Sequence, residues 1–155
     1  MIWIEAESVT PESPLAQGGD AAASGGAFIS TPDAMAAANE SPMTAGGRVT
    51  YRLVLPRCSP CVIWGRTQTP DSSGDSFWVS VDGGPFTKWN DLAAAGTGWE
   101  WETVRDSDAV PVETLQYDLG PGTHELVLVH REDGAMLDEL LITNDLTFTP
   151  SGLGD

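Results

Sequence analysis

The sequence predicts an all-β fold, a two-sheet β-sandwich of the jelly-roll type. Apolar and polar residues alternate with a period of two in one segment after another, which is typical of strands with one buried face. Seventeen Gly and eleven Pro in 155 residues provide frequent turns between these segments. Helix signals are confined to short Ala-rich runs at 34–39 and 92–95, too short to form stable helices without packing.

The predicted strands follow one another along most of the chain, whose length suits one domain with a single core. Turn sequences such as Asp82-Gly83-Gly84-Pro85 separate them. We expect a sandwich module over residues 1–145 and a C-terminal strap over 146–155 that leads into a linker. The predicted strands are 2–7, 26–30, 49–55, 62–69, 77–82, 99–104, 115–119, 125–131 and 136–143.

The chain is strongly acidic, with 23 Asp and Glu against seven Lys and Arg and a formal net charge of −16. Such a surface repels nucleic-acid phosphates and anionic membranes, so neither is an expected partner. No segment is long and apolar enough to span a bilayer. A strand-like pattern, not a signal peptide, follows Met1 directly. We therefore expect a monomeric module excised from a longer protein, with Met1 added as a start codon.

The two cysteines stand close together in Cys58-Ser59-Pro60-Cys61. A redox-active pair with this spacing opens a helix, whereas the residues that follow here indicate a strand. A zinc site needs further ligands, and the chain offers only two His residues for that purpose. The pattern favours a small disulfide that ties a tight turn between two strands, with free buried thiols as the alternative.

Three carboxylates stand out in the first and last predicted strands. Glu5 and Glu7 are two residues apart, so a strand projects both to one face. Asp138 lies in an apolar strand that we expect to be buried, where an ionised carboxylate needs a positive partner. Calcium, which prefers oxygen ligands, is one such partner. The alternative is that the two glutamates face solvent while Asp138 pairs with Arg52 or Arg131.

Seven segments in order resemble a known group: Ile4-Glu5-Ala6-Glu7, Ala23-Ser24-Gly25-Gly26-Ala27-Phe28, Trp64-Gly65-Arg66, Ser76-Phe77-Trp78-Val79-Ser80-Val81-Asp82-Gly83-Gly84, Gly98-Trp99-Glu100-Trp101, Gly122-Thr123-His124-Glu125-Leu126 and Arg131-Glu132-Asp133-Gly134-Ala135-Met136-Leu137-Asp138. This order is similar to that of carbohydrate-binding modules of families 6 and 35, from residue 2 to about residue 145. The resemblance implies a galactose-binding-like jelly roll. It also implies a non-catalytic module that binds polysaccharide or oligosaccharide, beside a catalytic domain in the same secreted, extracellular protein.

The resemblance further implies a structural calcium ion. In the family pattern, the opening Glu-x-Glu and the Asp of the last strand hold this ion, and here those positions are Glu5, Glu7 and Asp138. A main-chain carbonyl after the Ser-Gly-Gly turn completes the set, near Ala27. These are the same three carboxylates that their positions in the strands had already singled out.

A sugar presents an apolar face, which an aromatic ring covers, and a rim of hydroxyls, which polar side chains bind. The resemblance places the stacking ring at Trp99, among the loops at one end of the sandwich. Where the family has an Asn before the last strand, this chain has Arg131, Glu132 and Asp133, of which the two acids are the candidate substitutes. The usual second aromatic wall is missing, because residues 31–47 offer only Met35 and Met43.

The concave face of a sheet is the second site that the resemblance implies. Trp78 alternates with apolar neighbours that we expect in the core, so it should point outward. Trp64 and Arg66 share one face of their strand, and Trp89 follows a hairpin turn, where it suits either the rim or the core. We rank the loop site around Trp99 first and the sheet face second.

Three classes of function are weighed. The combined motifs favour a carbohydrate-binding module. A calcium-stabilised structural or adhesion domain without a working sugar site is the alternative, favoured by the missing Asn and the missing second aromatic. Catalysis is disfavoured, because Glu100 and Glu102 form an ordinary strand-borne acidic pair and no motif for a nucleophile or a catalytic metal is present.

Overall fold

The computed structural model describes residues 1–32, 41–43, 46–93 and 96–154 and confirms the predicted all-β sandwich. The helical elements in these ranges are two 3₁₀ turns, Ala6–Ser8 and Ser24–Gly26. The strands, numbered in chain order, are β1 (Ile2–Glu5), β2 (Ala16–Gly19), β3 (Ala27–Ser30), β4 (Arg48–Leu55), β5 (Cys58–Gln68), β6 (Phe77–Val81), β7 (Thr87–Trp89), β8 (Glu100–Thr103), β9 (Arg105–Asp106), β10 (Glu113–Thr114), β11 (Tyr117–Leu119), β12 (Gly122–His130) and β13 (Met136–Thr143).

Two antiparallel sheets form the sandwich. The larger has seven strands in the order β11-β5-β13-β3-β2, with β1 beside β13 and β8 beside β5. The smaller has four strands in the order β4-β12-β6-β7, and β9 and β10 form a separate ribbon. Because β1 pairs with β13, Glu5 lies opposite Glu139 and the two ends of the module meet in the middle of the larger sheet.

The core fills the space between the two sheets. Tyr51 and Phe77 of the smaller sheet point inward and are almost completely buried. Trp89 is also fully buried, with its ring centroid 6.4 Å from that of Phe77. Gly65 of the larger sheet makes room for this indole, since a Cβ there would clash with the Trp89 ring and lie 2.9 Å from Leu137 Cδ1. Burial of each such large side chain contributes about 1.5–3 kcal/mol.

Aromatic side chains and the C-terminal segment cover the outer face of the seven-stranded sheet. Trp3 of β1 and Trp101 of β8 pack edge to face at 5.5 Å, and Phe148 packs against Trp3 at 6.2 Å. The Trp101 indole N–H donates to the Gly152 carbonyl at 3.2 Å. Leu141, opposite Trp3 in the β1–β13 register, is fully buried. Residues 146–154, the described part of the predicted strap, therefore pack as an outer layer of the sandwich.

The first strand is shorter than predicted. β1 ends at Glu5, and Glu7 lies in the turn Ala6–Ser8 and not on the strand. The chain turns because the Ala6 carbonyl accepts a hydrogen bond from the Tyr51 hydroxyl at 2.8 Å instead of continuing the ladder with β13. The argument that a strand projects both glutamates to one face therefore does not apply to Glu7.

The predicted disulfide between Cys58 and Cys61 is present, but its predicted location is wrong. Both cysteines lie within β5 and not at a turn between two strands. The reason is that β11 pairs with this part of β5 at both cysteines, with a register shift between them, so the strand includes the Cys-x-x-Cys segment.

The short helical runs predicted at 34–39 and 94–95 lie outside the described residues. Leu92 and Ala93, which are described, are buried without helical structure. Over the part of the chain that the structure covers, no helix has the length and hydropathy needed to cross a membrane.

Candidate functional site

Acidic side chains from both ends of the module surround the 3₁₀ turn Ser24–Gly26. The backbone N–H of Ser24 donates to both carboxylate oxygens of Asp138, at 2.9 and 3.1 Å, and its hydroxyl donates to Glu5 Oε1 at 2.7 Å. A Cβ on Gly25 would lie 3.2 Å from Glu7 Oε1. Gly25 has a φ of +59°, which a glycine adopts without strain and which lets the carboxylates approach the turn closely.

Hydrogen bonds from neighbouring strands fix the backbone that carries the two glutamates. The Tyr51 hydroxyl holds the Ala6 carbonyl, and the Gln17 side-chain amide donates to the Glu7 carbonyl at 2.9 Å. Ala6 itself is fully buried against the core. The turn that presents Glu7 is therefore anchored on both sides.

Asp138 is fully buried, and its positive partner in the structure is Arg66. The Arg66 guanidinium also donates to the Ala22 carbonyl at 3.2 Å, and its side chain is only 9% exposed. Burial raises the pKa of Asp138, while the hydrogen bond from the Ser24 N–H and the Arg66 charge oppose that rise. The ion pair thus partly offsets the cost of a carboxylate in the interior.

Neither of the arginines that we named as alternative partners reaches Asp138. Arg52 pairs with Glu125 at 3.1 Å on the exposed face of the smaller sheet. Arg131 pairs with its neighbour Glu132 at 2.7 Å. The alternative pairing was wrong because the register of β5 against β13 brings Arg66 beside β13. This register cannot be predicted from the sequence of one strand alone.

The two glutamates keep oxygens without partners. Glu5 Oε2 and Glu7 Oε2 are buried and have no hydrogen-bond partner among the described residues. Burial raises the pKa of Glu7, and the nearby charges of Glu5 and Asp138 raise it further. Two converging carboxylates with unfilled lone pairs have the chemistry of a hard-cation site. Within the described ranges, however, no group of three or more His, Cys, Asp or Glu side chains is arranged so that it could hold a metal ion.

Ser24 is the residue of this turn that sequence reasoning missed. The carbonyl near Ala27, at the start of β3 opposite Gly19 of β2, stays a prediction. Ser24 touches two of the three carboxylates, as described above. The signal was present in the Ser-Gly-Gly sequence, where a small polar residue precedes two conformationally free glycines.

Trp99 lies next to this acidic turn. Its indole N–H donates to Asp20 Oδ2 at 2.9 Å, and the Arg66 guanidinium carbon lies 5.6 Å from the ring centroid. The Phe28 ring contacts it at 5.6 Å in a tilted arrangement. Hydrogen bonds from the Ala22 N–H and from Trp99 lower the pKa of Asp20. The ring is partly exposed and firmly positioned, as a preformed stacking platform requires.

The predicted polar residues before β13 form a cluster of their own. Arg131 donates to the Ser76 hydroxyl at 2.6 Å and to Asn90 Oδ1 at 3.0 Å, in addition to its pair with Glu132. Burial raises the pKa of neighbouring Asp75 to about 6, and the charge of Glu132 adds to this rise. The contacts of this cluster stabilise the start of β6 and are not directed at Trp99.

The remaining tryptophans do not form the single sheet-face site that we predicted. Trp89 is 0% exposed, so its assignment to ligand binding was wrong; the space above Gly65 draws it into the core. Trp64 and Arg66 do share a face, as predicted, but it is the outer face of the seven-stranded sheet. Trp78 lies on the outer face of the other sheet, with the Arg131 guanidinium 5.7 Å from its ring centroid. Asp133 is half-buried in the loop before β13.

A groove of about 510 Å³ lies on the outer face of the four-stranded sheet. Val127, Ser80, Phe86 and Met43 are among its lining residues. Arg48 also lines it, with its guanidinium 5.9 Å from the Phe86 ring centroid and a hydrogen bond to the Pro42 carbonyl at 3.2 Å. Trp78 does not line this groove, although Ser80, two residues further along β6, does.

Comparison with solved structures finds the same fold in carbohydrate-binding modules. A family 35 module from Clostridium thermocellum matches 91% of this chain and 95% of its own, with a TM-score of 0.63 and 14% identity. The module CBM6cm-2 from Cellvibrio mixtus lichenase 5A, solved with cellotriose, matches 92% of this chain and 95% of its own, with a TM-score of 0.59 and 21% identity. The fold is therefore that of family 6 and family 35 modules.

The same fold also occurs inside larger enzymes. An exo-β-1,3-galactanase from Phanerochaete chrysosporium, solved with galactose, matches 91% of this chain with a TM-score of 0.64 and 19% identity. The match covers 29% of the galactanase, so this chain spans under a third of that enzyme. No family model matches the sequence, and no curated protein matches it.

Proposed function

We propose that this chain is a non-catalytic carbohydrate-binding module that acts outside the cell as part of a larger carbohydrate-active enzyme. One observation carries the proposal: the fold coincides, over nearly the whole length of both chains, with solved carbohydrate-binding modules of families 6 and 35. The galactanase match, confined to part of that enzyme, supports a catalytic domain in cis. Of the acidic pair at Glu100 and Glu102, Glu102 forms an ion pair with Arg105 at 2.6 Å, which is consistent with a structural role.

Trp99 is the residue that we assign to sugar stacking. Its Asp20 and Arg66 contacts hold the ring in one orientation, so binding would not require the ring to become ordered. A sugar ring places its C–H face on such an indole and its hydroxyls toward neighbouring polar groups, of which the half-exposed Asp20 carboxylate is the nearest. Met35, noted for the opposite wall, lies outside the described residues. A platform with one aromatic favours a shallow site and weak binding.

We also propose calcium at the acidic turn. The unpartnered oxygens of Glu5 and Glu7 are its ligands, and the Asp138 carboxylate, now held by Ser24 and Arg66, completes the charged set. The ion supplies positive charge that offsets the repulsion between these carboxylates. Bound calcium would tie β1 to β13 and thereby stabilise the fold. Measured melting temperatures should rise with added calcium and fall with chelator; no shift together with no metal by elemental analysis would contradict this.

The test of carbohydrate binding is a glycan array and affinity electrophoresis with three proteins: wild type, Trp99→Ala and Trp99→Phe. We expect wild type to bind, Trp99→Phe to bind more weakly, and Trp99→Ala to lose binding, because stacking scales with the aromatic surface that remains. Circular dichroism should show that all three are folded. Equal binding by wild type and Trp99→Ala would show that the site lies elsewhere.

The competing function is a calcium-stabilised structural or adhesion domain. One observation favours it: the Trp99 N–H and one side of its ring are already engaged by Asp20 and Arg66. A protein that binds no glycan on a broad array but still shows a calcium-dependent melting temperature would support this second function. Turnover of a polysaccharide by the purified domain would contradict both.

A further inference from the structure

Negative charge predominates around Trp99. The carboxylates of the acidic turn and of the neighbouring Trp99 platform are those of Glu5, Glu7, Asp20 and Asp138. Among the described residues, the guanidinium that contacts this group is that of Arg66, which pairs with Asp138 and lies 5.6 Å from the Trp99 ring centroid. Even together with the divalent ion proposed above, this guanidinium supplies less positive charge than four carboxylates carry. A ligand at Trp99 therefore enters a negative electrostatic field.

Asp20 is the carboxylate that a ligand at Trp99 can reach. Its Oδ2 accepts the Trp99 indole N–H at 2.9 Å, and its Oδ1 accepts the Ala22 N–H at 2.9 Å. Each carboxylate oxygen has a further lone pair, and the side chain is half-exposed, so a ligand can add another hydrogen bond. The hydrogen bonds from the Ala22 N–H and from Trp99 lower the pKa of Asp20, so the carboxylate stays ionised at neutral and mildly acidic pH. The edge of the stacking ring therefore carries a fixed negative charge.

The basic side chains of this protein are engaged elsewhere. The chain has seven Lys and Arg, and all of them lie in the described ranges. Five form ion pairs with carboxylates, namely Arg52, Arg66, Lys88, Arg105 and Arg131. The other two, Arg48 and Arg57, line clefts to which neither Trp99 nor Asp20 contributes. Within the part of the chain that the structure describes, no basic side chain is left to bind an anionic sugar at Trp99.

We propose that the Trp99 site selects saccharides that carry a protonated amine. This inference names the substrate class of the proposed sugar site and rests on the proposed function. An ammonium group is attracted both by the electron-rich face of an indole and by a carboxylate, to which it donates a charge-assisted hydrogen bond. A neutral sugar gains the stacking but not the charge interaction, and a uronate is repelled by Asp20. Arg66 does not cancel this preference, because its charge is already paired with Asp138.

The experiment compares two trisaccharides that differ in one functional group. Chitotriose, the β-1,4-linked trimer of glucosamine, has an amine where cellotriose has a hydroxyl. The Trp99 indole N–H signal, assigned with Trp99→Phe, is followed by NMR at about pH 5.5, where the sugar amines are protonated and Asp20 is ionised. We expect chitotriose to bind wild type roughly tenfold more tightly than cellotriose at low salt. This preference should shrink in about 0.5 M salt, which screens the charges.

Variants test whether Asp20 is the source of the preference. Asp20→Asn should bind the two trimers with similar affinities, whereas Asp20→Glu, which keeps the charge, should retain the preference. Asp145→Asn is the matched control, because Asp145 is also exposed and accepts a backbone N–H from two residues further on, that of Thr147 at 3.0 Å. It lies beyond the opposite end of β13 from Asp138 and should leave the wild-type preference unchanged.

The outcomes separate this inference from the proposed function. If wild type binds cellotriose as tightly as chitotriose, or if Asp20→Asn retains the full preference, the inference is overturned while carbohydrate binding stands. If Asp20→Asn binds neither trimer, the salt series with wild type decides, and a preference that salt does not reduce overturns the inference. If wild type binds neither trimer, the inference is also overturned, and the glycan array alone then decides whether the proposed function stands.

Discussion

Replacing Arg66 with methionine should destabilise the protein far more than the same change at Arg52. Both arginines pair with a carboxylate on an adjacent strand, but their surroundings differ. The side chains of Arg66 and Asp138 are 9% and 0% exposed, whereas those of Arg52 and Glu125 are 75% and 46% exposed. Methionine keeps much of the length and volume of arginine, so the change removes mainly the charge and, at Arg66, the hydrogen bond to the Ala22 carbonyl.

The difference in burial sets the expected magnitudes. Breaking a buried pair leaves an uncompensated charge and costs about 3–5 kcal/mol, because among the described residues Asp138 would keep only the Ser24 N–H as a donor. Breaking an exposed pair costs about 0–1 kcal/mol. Since total stability is about 5–15 kcal/mol, Arg66→Met should still fold, so that its unfolding can be measured, but it should unfold at a much lower denaturant concentration than wild type.

The assay is urea unfolding followed by circular dichroism at pH 7 in the presence of chelator. The stability of Arg66→Lys, which retains the charge, should lie between that of wild type and that of Arg66→Met. The double variant Arg66→Met/Asp138→Asn should lose less than the sum of the two single changes, as a coupling between direct partners requires. If Arg66→Met costs no more than Arg52→Met, the reasoning that Arg66 neutralises Asp138 is wrong.

Three further predictions concern stability. Gly65→Ala should cost about 1–3 kcal/mol in urea unfolding, because its methyl group collides with Trp89, whereas Gly120→Ala, with open space around it, should be nearly neutral; equal effects would contradict the packing argument. The raised pKa of Asp75, about 6, means that this carboxyl lowers stability as pH rises from about 4 to 6. The free energy of unfolding of Asp75→Asn, relative to that of wild type, should therefore increase over that pH range. Parallel profiles of unfolding free energy against pH for the two proteins would refute this. Deleting residues 146–155 should expose the aromatic rings beneath, lower the melting temperature and increase binding of a hydrophobic dye, and an unchanged melting temperature would count against the strap as an outer layer.

Much of the sandwich could be predicted from periodicity because its long strands have one buried and one exposed face. β13 was predicted at its observed bounds, and β4 within one residue. β2 was missed, since Ala16–Gly19 contains two glycines and no alternation. The three-residue β7 was missed because so short a strand shows no period.

The candidate site was harder to predict, because it depends on contacts between distant segments. The three acidic residues were recognisable from their unusual positions, but Arg66 as the partner of Asp138 depends on the register of β5 against β13. Trp89 was misassigned for a related reason: its burial depends on the missing side chain at Gly65, on the opposite sheet. Whether two side chains from different strands fit together can hardly be predicted from the sequence of either strand alone.

Three consecutive residues of β5, Trp64, Gly65 and Arg66, have three different structural roles. Trp64 lies on the outer face of the seven-stranded sheet near Phe148, Gly65 makes room for Trp89 in the interior, and Arg66 pairs with Asp138. Because side chains alternate strictly along a strand, inserting or deleting one residue here would reverse all three directions at once. This part of the chain should accept no change in length, so loop grafting or domain-fusion designs based on this module should leave β5 intact.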